Sequence, residues 1–304
     1  MTDTRAVEAR AAFEAYLRVR HRLPSVEFGT DWRTAATLDE IAAPFDLILF
    51  DAYGVLNVGE TAIEGAAERI ADLRAAGKSV AVVSNSAAYP KRRMMSRYER
   101  LGFDFTPEEV VTSRETLLSH LADMPPRRWG AMLNDANGTE ELDGLDIAFL
   151  GDECGPYAEA EGFLLIGSDG WTEHRQDLLE ASLRRDPRPV LVGNPDLVAP
   201  RETGLSTEPG SFAHRIADAA EVVPIFFGKP FAGIYDLLLG RLATPPAPER
   251  VLMVGDTLHT DILGGRQMGF ATTLVTGHGA LVGLDVEEVI RRANIVPDFV
   301  IPRI

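Results

Sequence analysis

The sequence contains a single cysteine, Cys154, so no disulfide can form within the chain. One free thiol is typical of proteins in a reducing compartment, and we expect a cytoplasmic protein. Long apolar runs are also missing, because no stretch approaches the roughly 18 uninterrupted apolar residues of a membrane-spanning helix. The first residues are charged and rich in alanine, without the apolar core of a secretory signal. We therefore expect no membrane partner.

Positive charge is scarce. Lysine and arginine number 30 against 46 aspartate and glutamate residues, which gives a formal net charge of -16. Such a chain repels phosphate backbones and anionic lipids, so nucleic-acid binding is excluded as the main role. A local basic pocket could still hold one small anion. The 304 residues allow about two domains, and 45% hydrophobic residues is an ordinary globular composition.

Short apolar runs rich in β-branched and aromatic residues alternate with helical segments over much of the chain. They predict strands at 45–50, 79–83, 223–227, 251–254 and 271–275, with helices over 61–76, 231–243 and 258–268. Strands that are apolar on both faces indicate a parallel sheet covered by helices. The pattern predicts a doubly wound α/β core made from residues 45–114 and 223–304.

The segment between residues 115 and 222 has a different pattern of apolar runs and is interrupted by prolines. Strand-like runs occur at 147–150, 162–166 and 189–192, with a helix over 173–185. We predict a second α/β unit over 115–222, inserted into the first as a cap. Residues 1–44 are predicted to form a helical extension, whose helix over 5–20 either packs on the core or forms a dimer contact. A homodimer is compatible with the second alternative.

Polar side chains follow four of the predicted strands. Asp51 follows the first, Ser84-Asn85-Ser86 the second, Lys229 the third and Asp256 the fourth. In open parallel sheets the ligand crevice lies outside the carboxyl ends of the strands. Each residue alone has an ordinary interpretation as a turn, a helix cap or an exposed side chain. Their shared position predicts that the four segments meet.

These residue types suit phosphate chemistry. Asp51, Asp256 and Asp261 supply up to three carboxylates, the hard oxygen ligands that magnesium prefers. The ammonium of Lys229 can offset charge on a nucleophile and on a phosphoryl group. Ser84 can donate a hydrogen bond to a phosphoryl oxygen.

Donors for the substrate are predicted from two further segments. Asn85 and Ser86 can add hydrogen bonds to those of Ser84. The tight turn Ala52-Tyr53-Gly54 exposes N–H groups that can bind anionic oxygens, because Gly54 permits unusual backbone angles.

The segments FDAYGVLN, VVSNS, FGKP and VGDTLHTDILGG resemble, in this order, the four motifs of the haloacid dehalogenase (HAD) superfamily. The spacing of the second and third motifs and the segments VTSRETLLSHL, VGNPD and GKPFAGIYDLLL resemble its class IIA, with a C2-type cap. That class contains phosphatases of the NagD type and pyridoxal phosphate phosphatase. The resemblance implies a HAD-like Rossmannoid core with an inserted cap.

The resemblance also assigns roles to individual residues. Asp51 corresponds to the nucleophile, and Ser84 and Lys229 to the groups that hold the phosphoryl group. Magnesium would be bound by Asp51, the carbonyl of Tyr53 and Asp256, with Asp261 as a ligand or as outer support.

Tyr53 departs from the pattern of these phosphatases, which carry a second aspartate two residues after the nucleophile. That aspartate protonates the leaving oxygen and then activates water. A tyrosine side chain, with an ordinary pKa of about 10, is a poor base at neutral pH. We therefore expect slow or atypical turnover, with phosphate release as the impaired step. The candidates for a substitute acid are histidines, namely His174, His214, His259 and His278.

The sequence thus predicts a magnesium-dependent, phosphatase-like hydrolase of a small phosphorylated metabolite, acting through an aspartyl-phosphate intermediate. One alternative is a catalytically impaired protein that binds such a metabolite without releasing phosphate. Another is a 2-haloacid dehalogenase-like hydrolase, because Asp-x-Tyr-Gly also resembles the motif of those enzymes. In them the aspartate attacks carbon and no magnesium is needed.

Overall fold

The computed structural model describes residues 4–304 and, within the first helix, the side chains from Glu8 onward. Residues 1–3 lie outside the described residues. They are part of the predicted helical extension and of the segment that we expect not to be a secretory signal. The strands, in chain order, are β1 Arg33–Thr34, β2 Leu47–Phe50, β3 Asn57–Val58, β4 Thr61–Ala62, β5 Ser79–Ser84, β6 Val110–Thr112, β7 Arg128–Met132, β8 Asp146–Phe149, β9 Gly162–Leu165, β10 Val190–Val192, β11 Val198–Arg201, β12 Gly204–Thr207, β13 Ile225–Phe226, β14 Val251–Gly255, β15 Ala271–Val275 and β16 Phe299–Ile301.

Helices cover and connect these strands. The α-helices are α1 Thr4–Val19, α2 Asp39–Ala42, α3 Ala66–Ala75, α4 Lys91–Arg100, α5 Ser113–Ala122, α6 Cys154–Glu159, α7 Glu173–Arg185, α8 Pro209–Ala219, α9 Gly233–Leu239, α10 Leu263–Gln267 and α11 Val286–Ala293. A wider, π-helical turn over Leu258–Ile262 leads into α10. Among the described residues, no helix combines the length and the apolar character needed to cross a lipid bilayer.

The main sheet has seven strands in the order β1-β16-β15-β14-β2-β5-β6, and all its neighbouring strands are parallel. Alternate side chains of β2 enter two different apolar clusters. Ile48 and Phe50 pack on one face of the sheet, whereas Leu47 and Leu49 pack on the other. Both faces are therefore buried under helices, which confirms the predicted doubly wound α/β architecture.

The second sheet has five parallel strands in the order β13-β10-β9-β7-β8. Its faces are also both apolar: Phe163 packs with helices α7 and α8, while Leu164 packs with Leu117 of α5. Helix α7 spans residues 173–185, as the sequence predicts. This sheet is consistent with the predicted second α/β unit, inserted as a cap.

One predicted strand belongs to a different sheet from the one we expected. The sequence pattern predicts that the segment 223–227 is a strand of the core sheet. In the structure, β13 instead pairs with β10 of the second sheet, where Leu191 lies opposite Ile225. Only two residues pair, and the chain returns to the main unit after them, through Gly228 and Lys229. The strands of the main sheet thus come from residues 33–112 and 251–301, and those of the second from 128–226. The boundaries at 114/115 and 222/223 remain predictions.

Two short hairpins face each other where the main unit meets the cap. The first, β3–β4, replaces the start of the helix predicted at 61–76, so α3 begins at Ala66. The second, β11–β12, is the only antiparallel pair of the cap among the described residues. The Gly59 N–H donates to the carbonyl of Pro200 at 3.3 Å. The Glu60 N–H donates to Oε1 of Glu202 at 2.6 Å, so the hairpins are bonded directly to each other.

Helix α1 packs on the main unit and also reaches the cap. Phe13 is buried in an apolar cluster with Leu258 and Ile290, and Arg10 pairs with Glu288 at 2.8 Å. On the cap side, the hydroxyl oxygen of Tyr16 accepts the N–H of Leu197 at 3.1 Å. The helix is therefore an integral part of the core packing.

We expect Phe13→Ala to lower the free energy of unfolding by about 3–5 kcal/mol, because it removes a buried aromatic ring from this cluster. Arg10→Ala removes only a half-exposed ion pair and should cost much less stability. Urea unfolding of both variants measures the difference. Equal, small losses would show that α1 contributes little to the packing of the core.

Candidate active site

Three neighbouring strands of the main sheet deliver polar residues to one edge. Strands β14, β2 and β5 lie side by side, and their carboxyl ends point the same way. Asp256 directly follows β14, Asp51 directly follows β2, and Ser84 ends β5. The strand ends therefore place these three residues next to one another, as the sequence pattern predicts.

Lys229 joins this group from the loop that returns from the cap sheet. Its Nζ lies 2.5 Å from Oδ1 of Asp51 and 2.7 Å from Oδ1 of Asp261. The lysine side chain is only 2% exposed, so the ammonium is held by these two carboxylates rather than by bulk water. The four remote segments thus meet within hydrogen-bonding distance.

Asn85 fixes the approach of that loop. Its Nδ2 donates to the Lys229 carbonyl at 2.9 Å and to Oδ1 of Asp196 at 2.8 Å, while its Oδ1 accepts the Lys229 N–H at 2.7 Å. Gly228 lies close to Asn85 and has a φ angle of +117°. A Cβ on Gly228 would lie 2.5 Å from the side-chain oxygen of Asn85. The amide of Asn85 is thus used to position Lys229, whereas the sequence suggested that it contacts substrate.

The three predicted carboxylates form one cluster. Asp51, Asp256 and Asp261 each offer an oxygen, and these oxygens all lie within 4.8 Å of one another. Asp256 accepts from the Ala280 N–H at 2.7 Å, and Asp261 accepts from the Thr257 N–H at 3.1 Å. Backbone donors therefore hold two of the carboxylates in place before any ligand binds.

This cluster carries more negative than positive charge. Three buried carboxylates face one ammonium. Burial raises the pKa of Asp51 to about 6, even though Lys229 acts in the opposite direction, and burial and Asp51 raise the pKa of Asp256 well above its ordinary value. A divalent cation would relieve this surplus, and three carboxylate oxygens at this spacing fit the ligand preference of magnesium. The donor set is thus suited to such an ion.

Two glycines leave room for the Asp256 carboxylate. Gly54 adopts φ of +82°, and a Cβ there would lie 2.6 Å from Oδ2 of Asp256. A Cβ on Gly279 would lie 2.1 Å from the same oxygen. Neither position therefore tolerates a side chain while Asp256 keeps its present place.

A cavity of about 450 Å³ opens above these groups, between the main unit and the cap. From the main unit it is lined by Asp51, Tyr53, Ser84, Asn85, Ser86, Lys229 and Asp256. The cap contributes polar residues, among them Asn194, Asp196, Arg201, Ser206 and Glu208. The volume suits a small ligand, and the walls are rich in hydrogen-bonding groups.

Two of the predicted substrate contacts do not reach this cavity. Ala52 is fully buried, and its N–H bonds the carboxylate of Asp51, which lowers the pKa of that group. Gly54 does not line the cavity either. Its N–H donates to the carbonyl of Asn57 at 2.7 Å and is therefore not available to a ligand. Tyr53, Asn85 and Ser86 do line the cavity.

The cap wall contains two charged residues, Arg201 and Glu208, that no sequence motif indicated, beside Asn194 and Asp196 of the VGNPD segment. Arg201 donates to Oε1 of Glu208 at 2.9 Å, and Asn194 donates to the other oxygen of Glu208 at 3.1 Å. Asp196 faces the same cavity, and burial raises its pKa to about 8. Arg201 and Glu208 reach the site only because β11 and β12 pair as a hairpin, which leaves no local signal in the sequence.

The histidines considered as substitute acids all lie elsewhere in the described structure. His259 stacks on Tyr16 at 4.9 Å between ring centres, and burial lowers its pKa to about 3. His214 stacks on Phe226 within the cap, and His174 is exposed. His278 lines a separate, smaller cavity. None of them touches the cavity above Asp51.

We expect Gly279→Ala to displace the Asp256 carboxylate and to lower catalytic activity by about 10²-fold, since a shift of about 1 Å in a reacting group costs this much. Gly29→Ala is the matched control, because nothing lies within 4 Å of a Cβ built on Gly29. Circular dichroism should show both variants folded. Activity of Gly279→Ala equal to that of the control would contradict the role given to the close contact.

Comparison with known proteins agrees with this geometry. Residues 48–148 match the haloacid dehalogenase-like hydrolase family, and residues 226–304 match a HAD-hydrolase-like family. The chain is 31% identical to glycerol-3-phosphate phosphatase of Gallus gallus, covering 88% of this chain and 92% of that protein. It is 32% identical to chronophin of Homo sapiens, covering 88% and 94% of the two chains.

The fold also has close counterparts among solved structures. A possible sugar phosphatase of the HAD superfamily from Cytophaga hutchinsonii superposes with a TM-score of 0.76 at 24% identity. The match covers 90% of this chain and 98% of that one. The chain therefore belongs to the haloacid dehalogenase superfamily of hydrolases, whose four motifs its sequence resembles, and within it to the C2-capped class IIA.

Proposed function

We propose that this HAD phosphatase is a magnesium-dependent enzyme that hydrolyses small phosphorylated metabolites through an aspartyl-phosphate intermediate on Asp51. The observation that carries the proposal is the contact of Lys229 with Asp51 at 2.5 Å, inside a cluster of three carboxylates. Names of relatives, such as glycerol-3-phosphate phosphatase, support the coarse activity. The metal requirement and the route through Asp51 are inferred from the site.

The residues can divide the reaction into two displacements. An oxygen of Asp51 attacks phosphorus, and the bond from phosphorus to the leaving oxygen breaks. Water then attacks phosphorus, the Asp51 oxygen leaves, and inorganic phosphate is released. Lys229 offsets negative charge in both steps, and the Ser84 hydroxyl donates a hydrogen bond to a phosphoryl oxygen.

The metal site we propose uses Asp51, Asp256 and the carbonyl of Tyr53, with Asp261 as a ligand or as outer support. Magnesium bound there would supply positive charge next to the phosphoryl oxygens. Asp261 is further fixed by Lys229 at 2.7 Å, which suits the role of a supporting group.

The cavity favours small substrates. Its volume of about 450 Å³ accommodates a phosphate ester of modest size and excludes polymers. Tyr53 and Ser86 are the proposed contacts from the main unit, while Asn85 acts by positioning. A homodimer remains a prediction.

Tyr53 supports a second candidate, a protein that binds a phosphorylated metabolite and releases phosphate slowly or not at all. No carboxyl group occupies position 53, so the leaving oxygen must take its proton from another source. The carboxylate cluster favours both of these functions over a 2-haloacid dehalogenase, which needs no metal ligands.

Turnover of p-nitrophenyl phosphate and of a panel of metabolite phosphates, with magnesium and with excess chelator, tests the proposal. We expect hydrolysis that needs magnesium and falls to background in Asp51→Asn. Trapping of radiolabelled phosphate on the wild-type chain, but not on that variant, should reveal the intermediate. Equal hydrolysis by Asp51→Asn would reject the route through Asp51. Tight binding of one ester without turnover would establish the second candidate instead.

Tyr53→Asp should raise kcat on alkyl phosphates, by up to about 10²-fold, because it supplies the missing proton donor and base. Tyr53→Asn is the control, since it has nearly the same shape but transfers no proton at neutral pH. Steady-state kinetics with a poor leaving group measures the effect. If the two variants gain or lose activity equally, a carboxylate at this position is not what limits the rate.

A further inference from the structure

Tyr53 contacts both structural units of the protein at once. The guanidinium carbon of Arg97, on α4 of the main unit, lies over its ring at 4.8 Å from the ring centre. The guanidinium carbon of Arg201, on β11 of the cap, lies over the same ring, also at 4.8 Å. Cations within about 6 Å of an aromatic ring are attracted by its electron-rich face. The ring therefore links a cation from each unit.

Both arginines are fixed at their other contacts. Arg97 donates from Nε to Glu60 at 2.9 Å and from its terminal nitrogen to the Gly59 carbonyl, so it is tied to the β3–β4 hairpin. Arg201 donates from Nε to Ser206 at 2.9 Å and from a terminal nitrogen to Glu208 at 2.9 Å. Neither guanidinium is free to turn away, so the ring has two rigid partners.

The surrounding contacts place this ring at the seam between the two units. The N–H groups of Gly59 and Glu60 bond the opposite hairpin at Pro200 and Glu202. Tyr53 lies two residues after Asp51 and lines the same cavity, as does Arg201. The seam therefore passes directly beside the nucleophile.

The chemistry of the side chain explains why a ring is suited to this position. Each guanidinium group is attracted by the electron-rich π system of the Tyr53 ring. Burial lowers the pKa of Arg201, but Tyr53 and Glu208 outweigh it and the pKa is raised, so the group stays charged. An aspartate side chain is too short to lie under both guanidinium groups.

We propose that Tyr53 is a positioning residue that latches the cap to the main unit, holding the β11–β12 hairpin closed over Asp51 before substrate binds. The ring makes both cation contacts, and we expect it to carry most of this task beside the hydrogen bond between the Tyr53 hydroxyl and Arg201. Only the kinetic part of the test rests on the proposed phosphatase function, because the latch exists without substrate.

Hydrogen–deuterium exchange of the ligand-free protein tests the latch directly. We expect Tyr53→Leu and Arg201→Met to raise the exchange of peptides covering 57–62 and 198–207 by about tenfold, because the seam opens more often. Tyr53→Phe keeps the ring and should exchange like the wild type. Arg33→Met is the matched control: it removes a cation lying 4.9 Å from the Phe299 ring, a contact within the main unit. It should leave both peptides unchanged.

Kinetics distinguishes the latch from a merely structural role. If the closed cap is the binding-competent state, Tyr53→Leu and Arg201→Met should raise KM several-fold and change kcat little. Arg201→Lys, which retains a cation, should restore part of the loss. Tyr53→Asp, which also loses the ring, should raise KM even where it raises kcat.

Several results would overturn the proposal. Exchange of Tyr53→Phe as fast as that of Tyr53→Leu would assign the effect to the hydroxyl. Loss of kcat in Tyr53→Phe would make the hydroxyl a proton-transfer group. Unchanged exchange in Arg201→Met, a half-exposed residue whose loss should leave the fold intact, would remove the latch altogether. If no protein turns over substrate, the phosphatase proposal fails while the exchange data still decide on the latch.

Discussion

The ammonium of Lys229 holds the site together. It is almost fully buried and reaches two carboxylates that belong to different parts of the chain, Asp51 after β2 and Asp261 before α10. A buried charge is costly unless it is paired, and removal of one partner leaves the others uncompensated. Without this lysine, Asp51 and Asp261 would lose the ammonium that now pairs with both of them. Two residues position this lysine. Asn85 bonds both the N–H and the carbonyl of Lys229, and Gly228, which has no side chain, leaves room for the Asn85 oxygen.

One lysine does not balance three carboxylates, and this imbalance defines what the site can bind. Burial first, and the neighbouring carboxylates after it, raise the pKa values of Asp51 and Asp256. A divalent cation bound there would offset the surplus negative charge, so that a phosphate could bind beside the carboxylates. An acidic chain with a formal charge of -16 can in this way accept an anionic substrate at one point while its surface repels polyanions.

The sequence predicts the parts of this structure that have a local cause. Strands with apolar residues on both faces indicate the parallel sheet, and polar residues at their ends indicate where a site would form. The position of β13 was wrong because a two-residue strand carries too little pattern to show which sheet it joins. Arg201 was missed for a related reason. Its place over Tyr53 depends on the pairing of β11 with β12 and on the docking of two hairpins, and neither leaves a periodic signal.

Tyr53 shows how a motif can be recognised while the contacts of one of its residues stay unpredicted. Comparison with the superfamily motif shows only that position 53 lacks a carboxylate that could transfer a proton. The structure shows what the tyrosine contacts, a cation from each of the two units. A carboxylate and an aromatic ring cannot both occupy one position, so a gain in cap attachment here requires a loss in proton transfer. A cap held closed without substrate keeps bulk water away from Asp51 and strengthens the electrostatic interactions around Lys229. The same closure would slow the exchange of a ligand between the cavity and the solvent.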